Sequence, residues 1–352
     1  MKTYYGCDAH KRYSVFGSMN ERGQPGVLHR VDNDRPLFRR FLTSLPLGSP
    51  IAVESVGNWY WMIDEMEEVG HNPILVHAAK AKLMMGQINK TDKLDAVGLA
   101  RLLRNGTLPS VWIPPRELRD QRELPRLRMA LVRIRTLLKN RVHATLSKYG
   151  IQIGEVSDVF GVGGRALLKN RLQELPPQTR QSVDVQLGLL DQLEEQIQAT
   201  EDQIKAVVAA TPEMKLLMTM PGVGPILAVV LALEIGEVNR FPGPEHMASY
   251  AGTVPRIKSS GGRSFFGKVR PDINRYLKWA LVEAANIVMI NQSRWADRHV
   301  VQLYQRIKDR KGHAKAVVAV ARHLAEASYW ILKKQEPYKE PGRKTPISSS
   351  RK

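Results

Sequence analysis

The first hundred residues alternate between strand-like and helix-like patterns, and this order restricts the fold more than any other feature of the sequence. Strand patterns over residues 3–7, 13–19 and 27–31 predict an opening meander. Helix and strand patterns then follow in turn over residues 33–45, 50–54, 59–69, 72–77 and 90–104. We therefore expect an α/β domain over residues 1–113.

The middle of the chain, residues 114–210, is expected to be helical, and its charge changes along its length. Residues 114–150 contain ten Lys and Arg against three acids, whereas residues 180–205 contain six acids against two basic residues. Apolar spacings of three and four predict a coiled coil through Leu190, Leu193, Ile197, Thr200, Ile204 and Val207. The spacing does not show which helix packs against this seam. No partner helix is obvious within the chain, so we expect at least a dimer.

The rest of the sequence predicts a mainly α-helical domain over residues 211–334 and a disordered tail over residues 335–352. A glycine-rich turn at 220–225 separates two predicted helices. Residues 252–271 are dense in Gly, Ser and Arg and therefore predict a loop. The tail contains three prolines and three serines, a composition that does not build a core.

The charge of the whole chain indicates a polyanionic partner, because 53 Lys and Arg face 34 Asp and Glu for a net charge of +19. With 43% apolar residues the composition is that of a globular protein, not of a disordered chain that coats nucleic acid. Cys7 is the only cysteine, which excludes an internal disulfide framework and a cysteine-rich zinc site. The sequence has neither a secretory leader nor a membrane span, so we expect a soluble cytoplasmic protein.

Four carboxylates in the first region form a candidate metal site. Asp8 and Glu54 follow two predicted strands and so share one sheet edge, while Asp92 and Asp95 share one face of a predicted helix. Such a cluster needs a cation, and oxygen ligands select Mg²⁺ or Mn²⁺. Each acid alone is more simply a turn or helix-cap residue, but the set within one α/β unit is more specific. We expect His10 to be a surface residue or a phosphate contact and not a ligand.

The glycine-rich turn is a first candidate for phosphate binding. Gly222 and Gly224 precede an apolar helix, so backbone N–H groups there could hold a phosphate. A tight turn that needs a positive φ explains the glycines equally well.

The predicted loop over residues 252–271 is a second candidate. Ser260 lies between Lys258 and Arg263, with Arg256 nearby, so a phosphate drawn to these cations would meet a serine hydroxyl. On chemistry alone, a glycine-serine loop that only binds phosphate is the simpler explanation.

Five short motifs resemble, in order, those of the insertion-sequence-110 family of transposases. They are YGCDAHK at 5–11, AVESVG at 52–57, NKTDKLDA at 89–96, PGVG at 221–224 and YAGTVPRIKSSGG at 250–262. The resemblance covers nearly the whole chain apart from the tail. It implies an N-terminal RuvC-like, RNase H-type domain with a DEDD carboxylate set, a coiled-coil middle, and a C-terminal transposase domain with a helix-hairpin-helix element.

The resemblance also implies residue roles. The DEDD set falls on the four carboxylates named above, and the nucleophile falls on Ser260, with Ser259 as the competing position. Members of the family are similar in excising and integrating their element under the guidance of a structured RNA that pairs with target and donor DNA. This chain departs from the family at Thr253, where leucine is common, and at residues 272–275, where a Gly-Asn pair is common.

The sequence thus predicts a transposase that cuts and rejoins DNA through a phosphoserine at Ser260, with a metal ion on the carboxylates. Ser260 has no evident base and the carboxylates have no evident nucleophile, so we expect a composite site, within one chain or between two. The competing hypotheses are a metal-dependent RuvC-like nuclease or junction resolvase, in which water attacks, and a basic nucleic-acid-binding scaffold.

The expected partners are double-stranded target and donor DNA, a guide RNA, and further copies of the chain as a dimer, or a tetramer on DNA. The expected location is a bacterial cytoplasm, at the nucleoid when the protein is active. Six cations of the basic helix are expected to contact RNA phosphates, and the alternative is a solvated helix face. They are Arg126, Arg128, Arg133, Arg135, Lys139 and Arg141.

Overall fold

The computed structural model describes residues 2–86, 91–154, 156, 158–208, 211–270 and 272–341. The chain divides into two compact units, Met1–Arg116 and Glu117–Lys352. Each unit encloses its own buried clusters of apolar side chains. In these ranges, no helix is both long enough and apolar enough to cross a membrane.

A mixed six-stranded sheet forms the centre of the first unit, as the alternating sequence pattern predicts. Its strands are β1 (Thr3–Ala9), β2 (Tyr13–Asn20), β3 (His29–Asp32), β4 (Pro50–Glu54), β5 (Asn72–Val76) and β6 (Ser110–Val111). Their order is β3-β2-β1-β4-β5-β6. β1, β4 and β5 are parallel neighbours, and the other pairs are antiparallel. The carboxyl ends of β1, β4 and β5 therefore meet at one edge of the sheet.

Helices cover both faces of this sheet. They are α1 (Arg35–Thr43), α2 (Trp59–Glu68), α3 (Ala78–Met85) and α4 (Asp92–Arg104). Alternate side chains of β4 enter different cores, with Ile51 and Val53 in one and Ala52 in the other. The predicted helix over 90–104 begins only at Asp92, because the hydroxyl of Thr91 accepts a hydrogen bond from the backbone N–H of Leu94 and so caps the first turn.

Two long helices dominate the start of the second unit. This part contains α5 (Arg116–Gln121), α6 (Glu123–Lys148), α7 (Val162–Arg171), a short 3₁₀ helix (Leu172–Glu174) and α8 (Pro177–Val207). α8 packs against α6, with Leu190, Ile197 and Ile204 of the predicted seam buried. Our expectation that the seam has no mate within the chain is therefore wrong, because the basic helix before it supplies one.

The C-terminal part is mainly helical, as predicted. Its helices are α9 (Pro212–Leu217), α10 (Pro225–Ile235), α11 (Pro244–Tyr250), α12 (Arg275–Ile290), α13 (His299–Lys311) and α14 (His313–Lys334), with a 3₁₀ turn at Val238–Arg240. Eight of the eleven residues of α10 are buried. α10 packs on α9 and α12, and α14 packs on α11, α12 and α13. The apolar run of α10 is thus a core helix of this unit.

Residues 252–271 are not a loop but carry a β-hairpin of β7 (Pro255–Ser260) and β8 (Arg263–Val269). Gly261 and Gly262 form its two-residue turn with φ of +55° and +74°. A two-residue hairpin turn needs positive φ at these positions, so the adjacent glycines favour a hairpin. The sequence prediction took the glycines as a sign of a loop and did not pair the flanking residues.

Residues 335–341, which we expected to be disordered, fold back onto the helices of the second unit. The backbone N–H of Tyr338 donates to the hydroxyl of Thr219 at 2.8 Å. The carboxylate of Glu340 accepts from Arg298 Nε at 2.7 Å and from the backbone N–H of His299 at 3.0 Å. These bonds fix the start of the tail, and residues 342–352 lie outside the described part of the chain.

Candidate metal centre and serine hairpin

Asp8, His10 and Asp92 form a cluster at the edge where the parallel strands end. Their ligand-type atoms all lie within 4.8 Å of one another, and within the described ranges no other three His, Cys, Asp or Glu side chains do so. His10 Nε2 lies 3.2 Å from Asp8 Oδ2 and 3.2 Å from Asp92 Oδ2. Two carboxylates and an imidazole at this separation are donors that suit a divalent cation.

Close contact between α4 and β1 brings Asp92 to Asp8. Asp8 is the sixth residue of β1 and is 6% exposed, whereas Asp92 is the first residue of α4. A Cβ at Gly6 would lie 2.1 Å from the carbonyl oxygen of Ala96, so a glycine is required where the helix crosses the strand. The fold therefore sets the distance between these two carboxylates through backbone packing.

Polar side chains hold the cluster from outside. The Tyr13 hydroxyl donates to Asp92 Oδ2 at 3.0 Å, and this hydrogen bond raises the pKa of Tyr13, so the phenol stays protonated as a donor. The carbonyl oxygen of His10 accepts hydrogen bonds from Asn33 Nδ2 at 2.6 Å and Asn58 Nδ2 at 2.9 Å. These contacts fix the backbone of His10 between the two acids.

Glu54 and Asp95 lie outside the 4.8 Å cluster. Glu54 ends β4 one residue after Val53, which pairs with Cys7, so it reaches the same edge as Asp8. Burial raises the pKa of the Cys7 thiol, and the charges of Asp8 and Glu54 act in the same direction. Asp95 lies in the first turn of α4. The structure thus places Asp8, Glu54 and Asp92 at one sheet edge and brings Asp8 and Asp92 into one cluster with His10. That Glu54 and Asp95 bind an ion stays a prediction.

His10 lies in the cluster, although we expected it to be a surface residue or a phosphate contact. Its side chain is 33% exposed, but its Nε2 is buried between the two carboxylates. The signal was its position two residues after Asp8, because side chains at i and i+2 of an extended chain lie on the same side.

Ser260 is exposed at the tip of the β7–β8 hairpin. It pairs across the turn with Arg263, and Ser259 pairs with Ser264. Because successive side chains of a strand point to opposite faces, Ser260 shares a face with Arg263 and Ser259 does not. Arg256 and Arg263 are both exposed, while the side chain of Lys258 lies outside the description. The arrangement presents a serine hydroxyl beside the exposed guanidinium of Arg263.

Four of the six cations predicted to contact RNA form ion pairs with acids elsewhere in their own unit. The pairs are Arg126 with Glu234, Arg128 with Glu201, and both Arg135 and Lys139 with Glu194. Arg133 and Arg141 are exposed and form no ion pair with the residues described. Acids on α8 and α10 therefore partly compensate the positive charge of α6. A count of charges along α6 alone does not include them.

The two glycines of the predicted phosphate turn have different environments. Gly222 is buried with a φ of +79°, and a Cβ there would lie 2.2 Å from the carbonyl oxygen of Ala284. Turn geometry and close packing thus account for Gly222 without a phosphate. Gly224 caps α10 with an ordinary φ of −94°, and its phosphate contact stays a prediction.

Comparison with known proteins matches both units. A family model described as "Transposase IS116/IS110/IS902 family" matches residues 214–300, and a second, described as "Transposase" and named for the DEDD set of IS110, matches residues 5–151. The second match contains all four predicted carboxylates and His10, and the first contains the serine hairpin.

Three relatives show how far the similarity extends. The transposase for insertion sequence element IS1111A of Coxiella burnetii is 26% identical over 71% of this chain and 69% of its own length. A Pseudomonas aeruginosa protein named "Probable family 20 transposase" is 27% identical over 90% of this chain and 93% of its own. The pilin gene-inverting protein of Moraxella bovis is 26% identical over 82% of this chain and 81% of its own.

Proposed function

This chain belongs to the IS110 family of transposases, and from that premise we propose that it excises and integrates an insertion sequence by cutting and rejoining DNA strands. The net charge of +19 supports a polyanionic substrate. The similarity to both transposases and a gene-inverting protein supports DNA recombination as the activity.

We assign the first unit to the RuvC-like, RNase H-type class with a metal site at the carboxylate edge. The mixed six-stranded sheet and the DEDD family match over residues 5–151 support this assignment. Asp8 and Asp92 would hold the ion directly, and we assign Glu54 and Asp95 to its surroundings. Mg²⁺ or Mn²⁺ bound there would withdraw negative charge from a scissile phosphate.

Ser260 is our candidate nucleophile, and its pairing with Arg263 at an exposed hairpin tip is the observation that carries the proposal. Its Oγ would attack a DNA phosphorus, so that an Oγ–P bond forms while one P–O bond to deoxyribose breaks. The serine proton is released, and the departing sugar oxygen takes up a proton. Arg263 would stabilise the charge that develops on the phosphorus oxygens. The covalent phosphoserine keeps the ester for rejoining, so the reaction needs no ATP.

A guide RNA and self-association complete the proposal. Among the six cations predicted to contact RNA, the exposed Arg133 and Arg141 of α6 are best suited to RNA phosphates, because they form no ion pair with the acids described. Recombination joins two duplexes and so requires at least two active sites, which favours a dimer or larger assembly on DNA. The α8 seam is not part of this argument, because α6 of the same chain covers it.

A covalent-adduct assay tests the chemistry. Protein, RNA and end-labelled DNA are incubated with Mg²⁺, denatured in detergent and examined for label that migrates with the protein. We expect an adduct that disappears in Ser260→Ala and persists in Ser259→Ala, the matched control on the other face of the hairpin. Metal-dependent cutting without an adduct would instead favour a RuvC-like nuclease or junction resolvase, and binding without cutting would favour a scaffold.

A further inference from the structure

We propose that His10 is itself a ligand of the divalent ion, with Asp8 and Asp92, and that its nitrogen makes the site prefer Mn²⁺ to Mg²⁺. The inference rests on the proposed metal site and deepens it, because a set of four carboxylates offers oxygen ligands only. The DEDD pattern gives His10 no role.

The spacing between His10 and the two carboxylates is the observation that supports coordination. His10 Nε2 lies 3.2 Å from an oxygen of each carboxylate. Although this nitrogen is buried, it makes no hydrogen bond within the described residues, so its close approach is not aligned as a hydrogen bond. Two ligand atoms about 2.1 Å from one ion and at right angles to each other lie about 3.0 Å apart. The observed spacing is close to that edge length.

The surroundings fix His10 in this position. Its carbonyl oxygen is bound by Asn33 and Asn58, and Asn33 in turn accepts from the hydroxyl of Ser14 at 2.8 Å. The imidazole packs on the ring of Tyr13 with 4.7 Å between centroids, and Tyr13 donates to Asp92. These contacts fix the backbone and the ring of His10, as is required of a metal ligand whose donor atom must be oriented.

The donor set decides which ion is favoured. Mg²⁺ prefers oxygen ligands and retains its waters, whereas imidazole nitrogen suits transition metals. One nitrogen beside two carboxylates therefore favours Mn²⁺, which accepts both donor types. An all-oxygen set at the same place would remove most of this preference.

Metal binding without DNA tests the inference. Purified full-length protein is titrated with Mn²⁺, followed by electron paramagnetic resonance, and with Mg²⁺ in competition. Spin-echo modulation of the bound Mn²⁺ reports directly coordinated ¹⁴N. The variants are His10→Ala, His10→Asp and the control His77→Gln, which alters a histidine after β5 at the same sheet edge but outside the cluster. Circular dichroism confirms folding of each variant.

We expect ¹⁴N modulation in the parent and in His77→Gln, and none in His10→Ala or His10→Asp. The parent should bind Mn²⁺ about tenfold or more tightly than Mg²⁺, and His10→Asp should bind the two with nearly equal affinity. Mn²⁺ bound without ¹⁴N modulation, or modulation that survives in both His10 variants, overturns this inference and leaves the carboxylate site intact. If neither ion binds to the parent protein, the metal site of the proposed function fails as well.

Discussion

Arg126 donates two hydrogen bonds to the carboxylate of Glu234, with Nε at 2.7 Å and Nη2 at 3.0 Å from its oxygens. The Glu234 side chain is 3% exposed, so this pair joins α6 to the buried helix α10. A buried charge that loses its partner typically costs about 3–5 kcal/mol. Glu234 keeps a hydrogen bond from Asn274 Nδ2 at 2.8 Å and has Arg122 Nε at 3.8 Å. We therefore expect Arg126→Ala to lower the free energy of unfolding by less than that, about 1.5–3 kcal/mol, as measured by urea denaturation.

The exposed Arg133 of the same helix is the control for Arg126, and Arg133→Ala should change stability by less than about 0.5 kcal/mol. If Arg126→Ala were equally harmless and instead weakened RNA binding, Arg126 would be a phosphate contact and not a structural residue.

Neutralising Arg133 and Arg141 together should weaken RNA binding and flatten its dependence on salt. Each phosphate contact in a single-stranded region contributes about 0.7 to the slope of log affinity against log salt concentration, so the pair should reduce it by about 1.4. Filter binding of a double glutamine variant between low and high salt measures this slope. Retention of the parent slope would place the RNA elsewhere on the protein.

The four carboxylates should differ in how strongly they affect cleavage. Asp8→Ala and Asp92→Ala remove members of the 4.8 Å cluster and should abolish detectable cutting. Glu54→Ala and Asp95→Ala alter its surroundings and, if they act as supporting groups, should reduce cutting by about 10- to 100-fold. Single-turnover cleavage of labelled DNA provides the comparison. Equal loss in all four variants would show that Glu54 and Asp95 also bind the ion directly.

Mixing two inactive variants tests how the serine and the metal site cooperate. We expect Ser260→Ala and Asp8→Ala proteins, each inactive alone, to recover some cleavage together, because each supplies the group that the other lacks. Recovery requires that the two groups can act from different chains. If every ratio stays inactive while both variants still assemble on RNA and DNA, both groups must act from one chain.

His323, which contacts the segment at residues 335–341, should make the stability of the protein depend on pH. Burial lowers the pKa of His323, and the His299 ring, 4.8 Å away, adds to the shift, while Glu326 and Glu340 oppose it. The Tyr338 hydroxyl contacts His323 Nε2 at 3.0 Å. Because the folded-state pKa lies below the unfolded value of about 6.5, stability is greatest above that pH. The free energy of unfolding should decrease as the pH falls from about 6.5 through the folded-state pKa of His323, by at most about 1.4 kcal/mol per pH unit.

Urea midpoints between pH 8 and pH 5.5 measure this effect. His323→Gln should flatten the pH dependence, whereas His246→Gln, which alters an exposed histidine, should leave it unchanged. An unaltered slope in His323→Gln would mean that another group titrates.

Local sequence patterns predicted the sheet and most helices because their causes are local. The strand-like runs before Asp8 and Glu54 and the Thr91 cap before Asp92 act within a few residues, so the order of elements and the shared edge of the carboxylates could be read directly. The same patterns pointed to the four acids, and the family resemblance assigned the DEDD set to them. It could not rank them, because their distances depend on how closely α4 approaches β1.

Contacts between elements distant in sequence explain what was missed. The acids that neutralise α6 lie on α8 and α10, so counting charge along one helix overstated its free cations. His10 reaches the cluster because Asn33 and Asn58, from two other parts of the chain, hold its carbonyl. The sequence predicts a loop around Ser260 because adjacent glycines, as at positions 261 and 262, are common both in loops and in hairpin turns.

The absence of a side chain at Gly6 has a genetic consequence. The Cβ of any other residue there would lie 2.1 Å from the Ala96 carbonyl oxygen and would push α4 away from β1. Asp92 would then move away from Asp8. An insertion sequence carrying such a change would be immobile although every ligand and the serine were intact. A screen for immobile elements should therefore recover Gly6 alongside the chemical residues, and loss of transposition at that position would report the spacing of the metal site.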